Sequence, residues 1–214
     1  IEDTLRVLEA RACDEGPEYE PWTRVGERNG HMYLDLCDSD WRMVEITAKG
    51  WAVKAIDDMP FVRSSSMRAL PVPEGGESIE TLLNFVNVAD QDSFALVIGW
   101  LIGALRARGP YPVLVLSGEQ GTGKSNFSRL LRSLTDPSAA PIRSAPKEGR
   151  DMVINAMNSH VLAWDNVSRI ESWLSDAMCQ MSTGGGFSTR QLHTDRDEMI
   201  FAGSRPQILN GIPA

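Results

Sequence analysis

The sequence has few of the residues that build disulfide frameworks or zinc sites. Its 214 residues include three cysteines and three histidines. Cys13, Cys37 and Cys179 are widely spaced and lack the short intervals to histidine that are typical of zinc ligands. These absences exclude a disulfide-rich secreted scaffold and favour unpaired thiols in a reducing cytoplasm.

Long hydrophobic runs are also absent. The longest, residues 94–105, is about 12 residues long and contains Gly99 and Gly103, whereas a membrane helix needs about 20 apolar residues. No signal peptide or lipid anchor is recognisable. We therefore expect a cytoplasmic protein with no membrane partner.

The chain has fewer positively charged than negatively charged residues. The chain has 21 Lys and Arg against 29 Asp and Glu, a formal net charge of −8. A generally basic nucleic-acid surface is therefore excluded, and any contact with DNA must come from a local basic element. The 42% hydrophobic content is enough for a sizeable core in one large domain or two small ones.

Three segments differ in pattern. Residues 1–21 are acidic and have a short helical spacing, which predicts a linker or a peripheral helix. Residues 22–77 alternate short apolar runs with turns and predict a small β-rich meander. Residues 78–214 begin with a helix capped by Ser78 and a second, core helix over 92–106, and we expect this last segment to be truncated at its C-terminal end.

A strand, a glycine loop and a helix follow one another after residue 112. The apolar run Val113–Leu116 predicts a buried strand, the loop contains G-x-x-x-x-G-K-[ST], and apolar residues then recur at helical spacing. Glycines let backbone N–H groups surround phosphate oxygens, and the helix N-terminus adds positive potential. The predicted nucleotide-binding residues are Gly118, Glu119, Gln120, Gly121, Thr122, Gly123, Lys124, Ser125 and Asn126.

The loop predicts ATP and Mg²⁺ as cofactors. Lys124 is expected to reach the β and γ phosphates, and the Ser125 hydroxyl is expected to ligate the metal ion. A second apolar run ends in Asp165, which we predict to be the other metal-positioning group. Asn166 follows where a second acid would activate water, and an amide can orient water without taking its proton at neutral pH. Asp176, Glu171 and a residue beyond the chain end are alternative bases.

Two further elements complete the predicted site. Residues 182–198 predict a glycine-rich entry to a polar hairpin, in which Arg190, His193 and Arg196 are candidate DNA contacts. A solvated hairpin without that role is equally favoured, because acidic residues lie alongside. A later short apolar strand ends in Asn210, whose amide is expected beside the γ phosphate. Lys124, Asp165, Asn166 and Asn210 are the predicted catalytic residues.

The order of these motifs resembles the superfamily 3 branch of AAA+ ATPases, as in the primase-helicase proteins of phages, plasmids and mobile elements. The resemblance covers residues 80–214, and its most specific parts are GGGFSTR at 184–190 and RPQILNGI at 205–212. It implies an α/β fold with an AAA+-like P-loop NTPase core of three layers around a mostly parallel sheet, preceded by the β-rich region and helices. It also implies a bacterial or phage-infected cell, a hexameric ring and single-stranded or forked DNA as partner.

The chain departs from that family at two points. Asn166 replaces the second acid, and the arginine finger is expected beyond Ala214. The first hypothesis is an ATP-driven DNA translocase or helicase module of a mobile-element replication protein. The second is a nucleotide-gated assembly or DNA-binding module with little turnover. A P-loop small-molecule kinase is the third, disfavoured because no arginine-rich lid follows.

Overall fold

A computed structural model describes residues 2–190 and 198–211 of the chain. Within these ranges, an antiparallel sheet and a parallel sheet make up a mixed α/β fold. The first element is helix α1 (Glu2–Glu15), in which no residue is buried. This helix lies within residues 1–21, for which a linker or a peripheral helix is predicted.

The antiparallel sheet is a meander whose strands pair in sequence order. Adjacent residues Met43 and Val44 enter two different apolar clusters, because successive side chains of a strand point to opposite faces. The meander was predicted, but its first strand was not. The sequence of that strand, VGER, contains a single residue that strongly favours strands. The strands are β1 (Val25–Arg28), β2 (His31–Asp35), β3 (Arg42–Thr47) and β4 (Gly50–Ala55).

Two helical segments lead from the meander to the parallel sheet. Ser78 accepts a hydrogen bond from the Glu80 N–H, as the predicted cap. The segment is a short 3₁₀ helix, Ile79–Asn84, and not the longer helix that the apolar spacing predicts, because asparagines and β-branched valines follow and are poor helix formers. Helix α2 (Gln91–Ala104) matches its prediction closely and is capped by Asp90.

The second sheet has four strands, and each of its neighbouring pairs is parallel. The strands are β5 (Val113–Leu116), β6 (Arg143–Ser144), β7 (Leu162–Asp165) and β10 (Gln207–Asn210). Their order in the sheet is β5-β10-β7-β6, so the strand before the glycine loop lies at one edge. The predicted strands before residue 117 and around residues 162 and 208 are confirmed.

Helices cover both faces of the parallel sheet. Besides α2, they are α3 (Lys124–Thr135), α4 (Gly149–Asn158) and α5 (Ser172–Thr183). On one face, α2 and α3 pack against Leu116, Ala163 and Ile208. On the other face, α4 and α5 pack against Leu162, Trp164 and Leu209. The mixed α/β arrangement with a parallel central sheet is therefore confirmed.

Strand β6 and helix α4 have no counterpart in the prediction. β6 has only two residues, too few for a periodic pattern. For α4, the apolar residues Met152, Val153 and Ala156 have the spacing of a helix face and are completely buried. This apolar spacing could have been used to predict α4 from the sequence.

A buried charge cluster joins the antiparallel sheet to the parallel one. The Arg24 Nε donates to Asp136 Oδ1 at 3.0 Å, and both side chains are almost completely buried. The other carboxylate oxygen of Asp136 accepts hydrogen bonds from the His160 and Val161 N–H groups. Asp136 follows α3 and Val161 precedes β7, so one carboxylate ties together three parts of the chain.

His160 makes the stability of the fold depend on pH. Burial, assisted by Arg205, lowers the pKa of His160 to about 4, and its Nε2–H donates to the Ala104 carbonyl at 2.6 Å. Between pH 6.5 and 4, the unfolded chain binds a proton at this site that the folded chain does not. The contribution of the neutral, buried His160 to the free energy of unfolding is therefore complete above pH 6.5. The free energy of unfolding falls by up to about 3 kcal/mol as the pH drops from 6.5 to 4.

Urea unfolding as a function of pH measures this effect. His160→Gln keeps a donor for Ala104 and should remove much of the slope between pH 6.5 and 4. The slope of the variant is compared with that of the wild type over the same pH range. An identical slope in the wild type and His160→Gln would contradict the assignment.

In the described ranges, none of the helices combines the length and the apolar character needed to span a bilayer. Cys13 and Cys179 are exposed and Cys37 is partly buried, and all three are unpaired. Among the described residues, no cluster of three or more His, Cys, Asp or Glu could hold a metal ion.

Candidate functional site

The carboxyl ends of three parallel strands meet at one edge of the sheet. Asn210, the last residue of β10, pairs in register with Leu116 at the end of β5, and β7 ends beside them at Asp165. Open α/β sheets bind ligands at this edge. A cleft of about 810 Å³ opens there, lined by Gly118, Gln120, Gly121, Thr122, Gly123, Lys124, Ser125, Asn126, Asp165, Asn166, Ser168, Asn210 and Gly211.

The glycine loop forms the floor of the cleft and leads into α3. Gly123 has φ +84, a left-handed conformation that favours glycine, and α3 begins at the next residue. The first N–H groups of a helix have no intrahelical partners and carry partial positive charge. The Lys124 Nζ lies over the loop and donates to the Gly118 and Glu119 carbonyls, at 2.7 Å each. This arrangement attracts anions such as phosphate.

Ser125 and Asp165 meet across the cleft although 40 residues separate them. The Ser125 hydroxyl, in the first turn of α3, donates to Asp165 Oδ1 at 2.8 Å. A hydroxyl oxygen and a carboxylate are hard oxygen ligands suited to Mg²⁺. The structure thus brings together the two residues predicted to hold the metal ion.

Asn210 links the end of β7 to helix α3. Its side chain is 2% exposed, its Oδ1 accepts the Asn166 N–H at 3.0 Å, and its Nδ2 donates to the Ser128 hydroxyl at 3.1 Å. The Ser128 hydroxyl donates in turn to the Lys124 carbonyl. Asn210 therefore lines the cleft, with its amide bonded to Asn166 and Ser128. Its place beside a γ phosphate stays a prediction.

Gly211 allows β10 to pass close to Asn166. A Cβ at Gly211 would lie 2.9 Å from both the Asn166 Cα and the Val167 nitrogen, and Gly211 has φ +97. Asn166 itself adopts φ +55, in the left-handed region, which asparagine tolerates better than most residues. The backbone at Asn166 is therefore held by Asn210 on one side and Gly211 on the other.

Gly211→Ala is expected to disrupt the site. The added methyl group must displace the backbone at Asn166 and Val167, and the left-handed conformation adds strain, so we expect a loss of about 1–3 kcal/mol in stability together with weaker ligand binding. Gly30→Ala is the matched control, because Gly30 has φ +75 but no atom within 4 Å of its added Cβ. Equal effects of the two substitutions, in stability and in binding, would contradict the close contact at Gly211.

The alternative bases lie outside the cleft. Glu171 precedes α5, and its Oε2 accepts a hydrogen bond from the Trp173 ring at 3.0 Å. Asp176 is an exposed residue of α5, and neither residue lines the cleft. Among the described residues, Asp165 is the only carboxylate that does.

A smaller cleft of about 420 Å³ adjoins the glycine loop. It shares Gly118, Thr122 and Lys124 with the larger cleft. The rest of its lining is mostly apolar and comes from the segment before α2, from α2, from β5 and from Phe127. An apolar recess beside the glycine loop and Lys124 suits a flat, partly apolar ligand.

The predicted hairpin is present as a pair of antiparallel strands, β8 (Phe187–Arg190) and β9 (Glu198–Phe201). Arg190 ends β8 and pairs in register with Glu198. His193 and Arg196 lie outside the described residues. Gly184, in the left-handed conformation, ends α5 and starts the turn into β8.

Arg205, the first residue of the RPQILNGI stretch, precedes β10 and does not line the cleft. The Arg205 Nε donates to the Ala156 and Ser159 carbonyls near the end of α4. Burial lowers the pKa of Arg205 to about 10. Arg205 therefore bonds to backbone near the end of α4, and it does so at the end of β10 that is opposite to Asn210.

Three residues of the site were missed by the sequence interpretation: Ser128, Ser168 and Gly211. Ser128 lies one helical turn after Lys124, a spacing that places both residues on the same side of α3. Gly211 follows directly after a strand that ends at the site, and a glycine there indicates a close backbone approach. Nothing in the sequence distinguishes Ser168 from other loop serines.

Comparisons with known proteins give a family and a weak likeness to a solved structure. The apo A-form structure of the NrS-1 C-terminal region has 15% sequence identity and a TM-score of 0.46, over 81% of this chain and 52% of that chain. The chain thus spans about half the length of that solved chain, and a likeness at this level assigns no function. No curated protein matches.

The family model for the actinomycete integrative conjugative element replication protein matches residues 79–214, which include the glycine loop, the hairpin and β10. The expected origin in a mobile-element replication protein is thereby confirmed. The chain belongs to the family of actinomycete integrative conjugative element replication proteins.

Proposed function

We propose that the chain binds ATP with Mg²⁺ in the larger cleft and serves as the ATPase module of a mobile-element replication protein. The parallel sheet with its glycine loop is then a P-loop NTPase core of AAA+ type, in the superfamily 3 branch. The observation that carries the proposal is the 2.8 Å hydrogen bond between Ser125 and Asp165. This bond joins the glycine loop, whose sequence is typical of phosphate binding, to the carboxylate of Asp165 at the end of a parallel strand.

The residues of the cleft fit the phosphates and the metal ion. The loop N–H groups and Lys124 would hold phosphate oxygens, and Ser125 and Asp165 would hold Mg²⁺. When bound, Mg²⁺ neutralises charge on the phosphates. The smaller apolar cleft would take the nucleoside, since the two clefts share Gly118, Thr122 and Lys124.

Asp165→Asn should weaken the Mg²⁺ dependence of ATP binding more than binding itself. The substitution keeps the shape of the side chain and an acceptor for Ser125 but removes the charge that attracts a hard cation. Titrations with ATP at increasing Mg²⁺ should show a strong enhancement in the wild type and little in the variant. Asp92→Asn, an exposed carboxylate in the first turn of α2, is the control. Equal Mg²⁺ dependence in all three proteins would contradict the metal site.

Hydrolysis requires that the attacking water be oriented and lose a proton. Asn166 lines the cleft, where its amide can orient water by hydrogen bonding but cannot accept the proton at neutral pH. The proton acceptor therefore differs from Asn166. A hexameric ring would let a neighbouring subunit complete the site.

Movement on single-stranded or forked DNA is the proposed output of hydrolysis. The β8–β9 hairpin, with Arg190, His193 and Arg196, is the proposed DNA contact through phosphate charge and base stacking. ATP hydrolysis by the full-length protein should rise when single-stranded DNA is added, and DNA binding should weaken with salt. No stimulation by DNA, combined with no salt-dependent DNA binding, would reject this function.

A second candidate function is a nucleotide-gated assembly or DNA-binding module with little turnover. The observation that favours it is Asn166 in place of a second acid. Single-turnover hydrolysis separates the two: slow hydrolysis supports the gated module, and fast hydrolysis rejects it. Asn166→Asp sharpens the comparison, because aspartate also tolerates the left-handed conformation. A large gain in hydrolysis by that variant would show that the amide limits turnover.

A further inference from the structure

A further cleft lies at the end of the parallel sheet opposite to the glycine loop. It has a volume of about 690 Å³, and its lining includes residues 183–184, which lead into β8, and residues 201–205, which connect β9 to β10. The loop after α2, residues 107–109, and residues just before β1 form other parts of the wall. Among the described residues, this cleft shares none with the two clefts at the glycine loop. The base of the β8–β9 hairpin therefore borders a cleft that the proposed nucleotide site does not use.

Arg205 gives this cleft a positive charge that is not neutralised by a paired carboxylate. It lines the cleft and donates to three backbone carbonyls. Among the described residues, no carboxylate lies within ion-pairing distance of Arg205, whereas the buried Arg24 and Arg132 both pair with Asp136. Burial lowers the pKa of Arg205 to about 10, so its guanidinium stays charged at neutral pH. Because buried charges are normally paired, Arg205 offers a cation to an anion that enters the cleft.

Hydrogen-bond donors beside this charge are also unused. The Arg205 Nε and Nη1 make the three bonds to carbonyls, and its Nη2 has no acceptor in the described part of the chain. Gly203 and Ser204 line the cleft, and neither donates its backbone N–H to a described residue. The Ser204 hydroxyl accepts the Gly109 N–H at 3.0 Å, which ties this segment to the loop after α2. Residues 203–205 thus provide N–H donors of the kind that hold oxyanions.

A second arginine lines the same cleft in an exposed ion pair. The Arg108 Nη2 lies 3.4 Å from the Glu20 Oε2, and these side chains are 77% and 65% exposed. An exposed ion pair contributes about 0–1 kcal/mol, so an incoming anion can displace Glu20 at little cost. Glu20 is the one carboxylate among the described lining residues. With two arginines against one acid, the cleft is positive in a chain whose net charge is −8.

The position of the cleft indicates which anion it takes. The hairpin is the proposed DNA contact, and β8 has four residues, a length of about 13 Å, so DNA that follows the hairpin passes its base. An acidic chain binds DNA through a local basic element, and the exposed Arg106 adds to the charge of the loop after α2. Guanidinium groups bind phosphate through two parallel hydrogen bonds. A phosphate of the DNA backbone fits both the donors and the position.

We propose that the cleft at the base of the hairpin binds a backbone phosphate of single-stranded DNA, with Arg205 and Arg108 as the cationic contacts and Glu20 as the carboxylate that the phosphate displaces. This contact rests on the proposed function, since the DNA is the strand that the hairpin touches. It adds a second DNA-binding point, at the opposite end of β10 from the residues proposed to hold ATP.

Binding of a fluorescently labelled oligo-dT to the full chain tests this contact, measured by anisotropy without nucleotide at several salt concentrations. Arg108→Ala should weaken binding about 10-fold. The slope of the logarithm of the association constant against the logarithm of salt concentration should become shallower by about 0.7, the value for one phosphate contact on a single strand. Arg106→Ala is the matched control, because Arg106 carries the same charge in the same loop but does not line the cleft. It should bind nearly as the wild type does.

Glu20→Gln should act in the opposite direction. It removes the carboxylate that competes for Arg108, so DNA binding should become about 2- to 5-fold tighter. Glu18→Gln is the control, because it removes an exposed charge two residues away that does not line the cleft. A gain in Glu20→Gln no larger than in Glu18→Gln would overturn the competition.

Arg205→Gln tests the more buried contact. It removes the charge and keeps a donor for the backbone carbonyls, and DNA binding should weaken about 10-fold or more. Thermal unfolding verifies that this variant is folded. If it does not fold, the Arg108 and Glu20 variants decide the matter.

Thymidine monophosphate separates the DNA backbone from a free phosphate ester as the ligand. Binding of the monophosphate that depends on Arg108, without Arg108-dependent binding of DNA, would assign the cleft to a free phosphate ester and overturn the proposal. ATP binding should be the same in Arg108→Ala, Glu20→Gln and the wild type, because the two sites share no described residue. A loss of ATP binding would also overturn the proposal, since the variants would then act through the fold.

Failure of this contact is distinguishable from failure of the proposed function. Wild-type DNA binding that depends on salt but is unchanged in Arg108→Ala and Glu20→Gln would overturn the cleft contact and leave the hairpin contact standing. An equal loss of binding in Arg106→Ala and Arg108→Ala would also overturn it. No DNA binding by the wild type would reject both this contact and the proposed action on DNA.

Discussion

Lys124→Ala is expected to abolish ATP binding. Lys124 is the one cation lining the larger cleft among the described residues, and a hydrogen bond to a charged group contributes about 1.5–3 kcal/mol. Affinity should fall by roughly 100-fold or more when this charge and its donors are lost. Equilibrium titration with a fluorescent ATP analogue measures the change.

Lys49→Ala is the matched control, because it removes the same charge from an exposed turn between β3 and β4. The control should bind as the wild type does. Thermal unfolding without nucleotide verifies that the Lys124 variant is folded, since Lys124 also holds the Gly118 and Glu119 carbonyls. Retained binding in a folded Lys124→Ala variant would contradict the site.

Asp136→Asn is expected to destabilise the fold by about 3–5 kcal/mol. Burial raises the pKa of Asp136, but the charges of Arg132 and Arg24 and the hydrogen bond from the Val161 N–H outweigh that effect, and the net pKa is lowered. The carboxylate is therefore charged at neutral pH. Without it, the guanidinium groups of Arg24 and Arg132 remain buried beside a neutral side chain, which is the costly outcome.

Chemical denaturation followed by tryptophan fluorescence measures this loss. Asp38→Asn is the control, because Asp38 also pairs with an arginine four residues away, Arg42, but on a partly exposed surface. Its cost should be about 1 kcal/mol. A loss of less than 1 kcal/mol for Asp136→Asn would show that the buried cluster does not hold the two sheets together.

Short-range apolar patterns in the sequence correctly predicted several helices and strands. The strand before the glycine loop, the helix after it and the strand that ends in Asp165 each have an apolar period readable within about a dozen residues. The meeting of Ser125 with Asp165 was also predictable, because the carboxyl ends of parallel strands share one edge. The 3₁₀ helix after Ser78 shows the limit, since apolar spacing alone does not determine where a helix ends.

Contacts between distant segments could not be read from the sequence. Arg24 and Asp136 are 112 residues apart, and a buried pair of opposite charges leaves no periodic signal. The approach of Gly211 to Asn166 depends on how β10 passes the end of β7. The hydrogen bonds of Asn210 likewise follow from packing, because its position at a strand end predicts its place in the cleft but not its partners.

Calorimetric titration of the chain with ATP in the presence of Mg²⁺ tests the central claim most directly, since it requires neither DNA nor a ring. We predict saturable binding of one ATP per chain, weakened when Mg²⁺ is removed and lost in Lys124→Ala. Absence of saturable binding in the folded wild-type chain, or binding that Lys124→Ala leaves intact, would contradict a nucleotide site at the glycine loop.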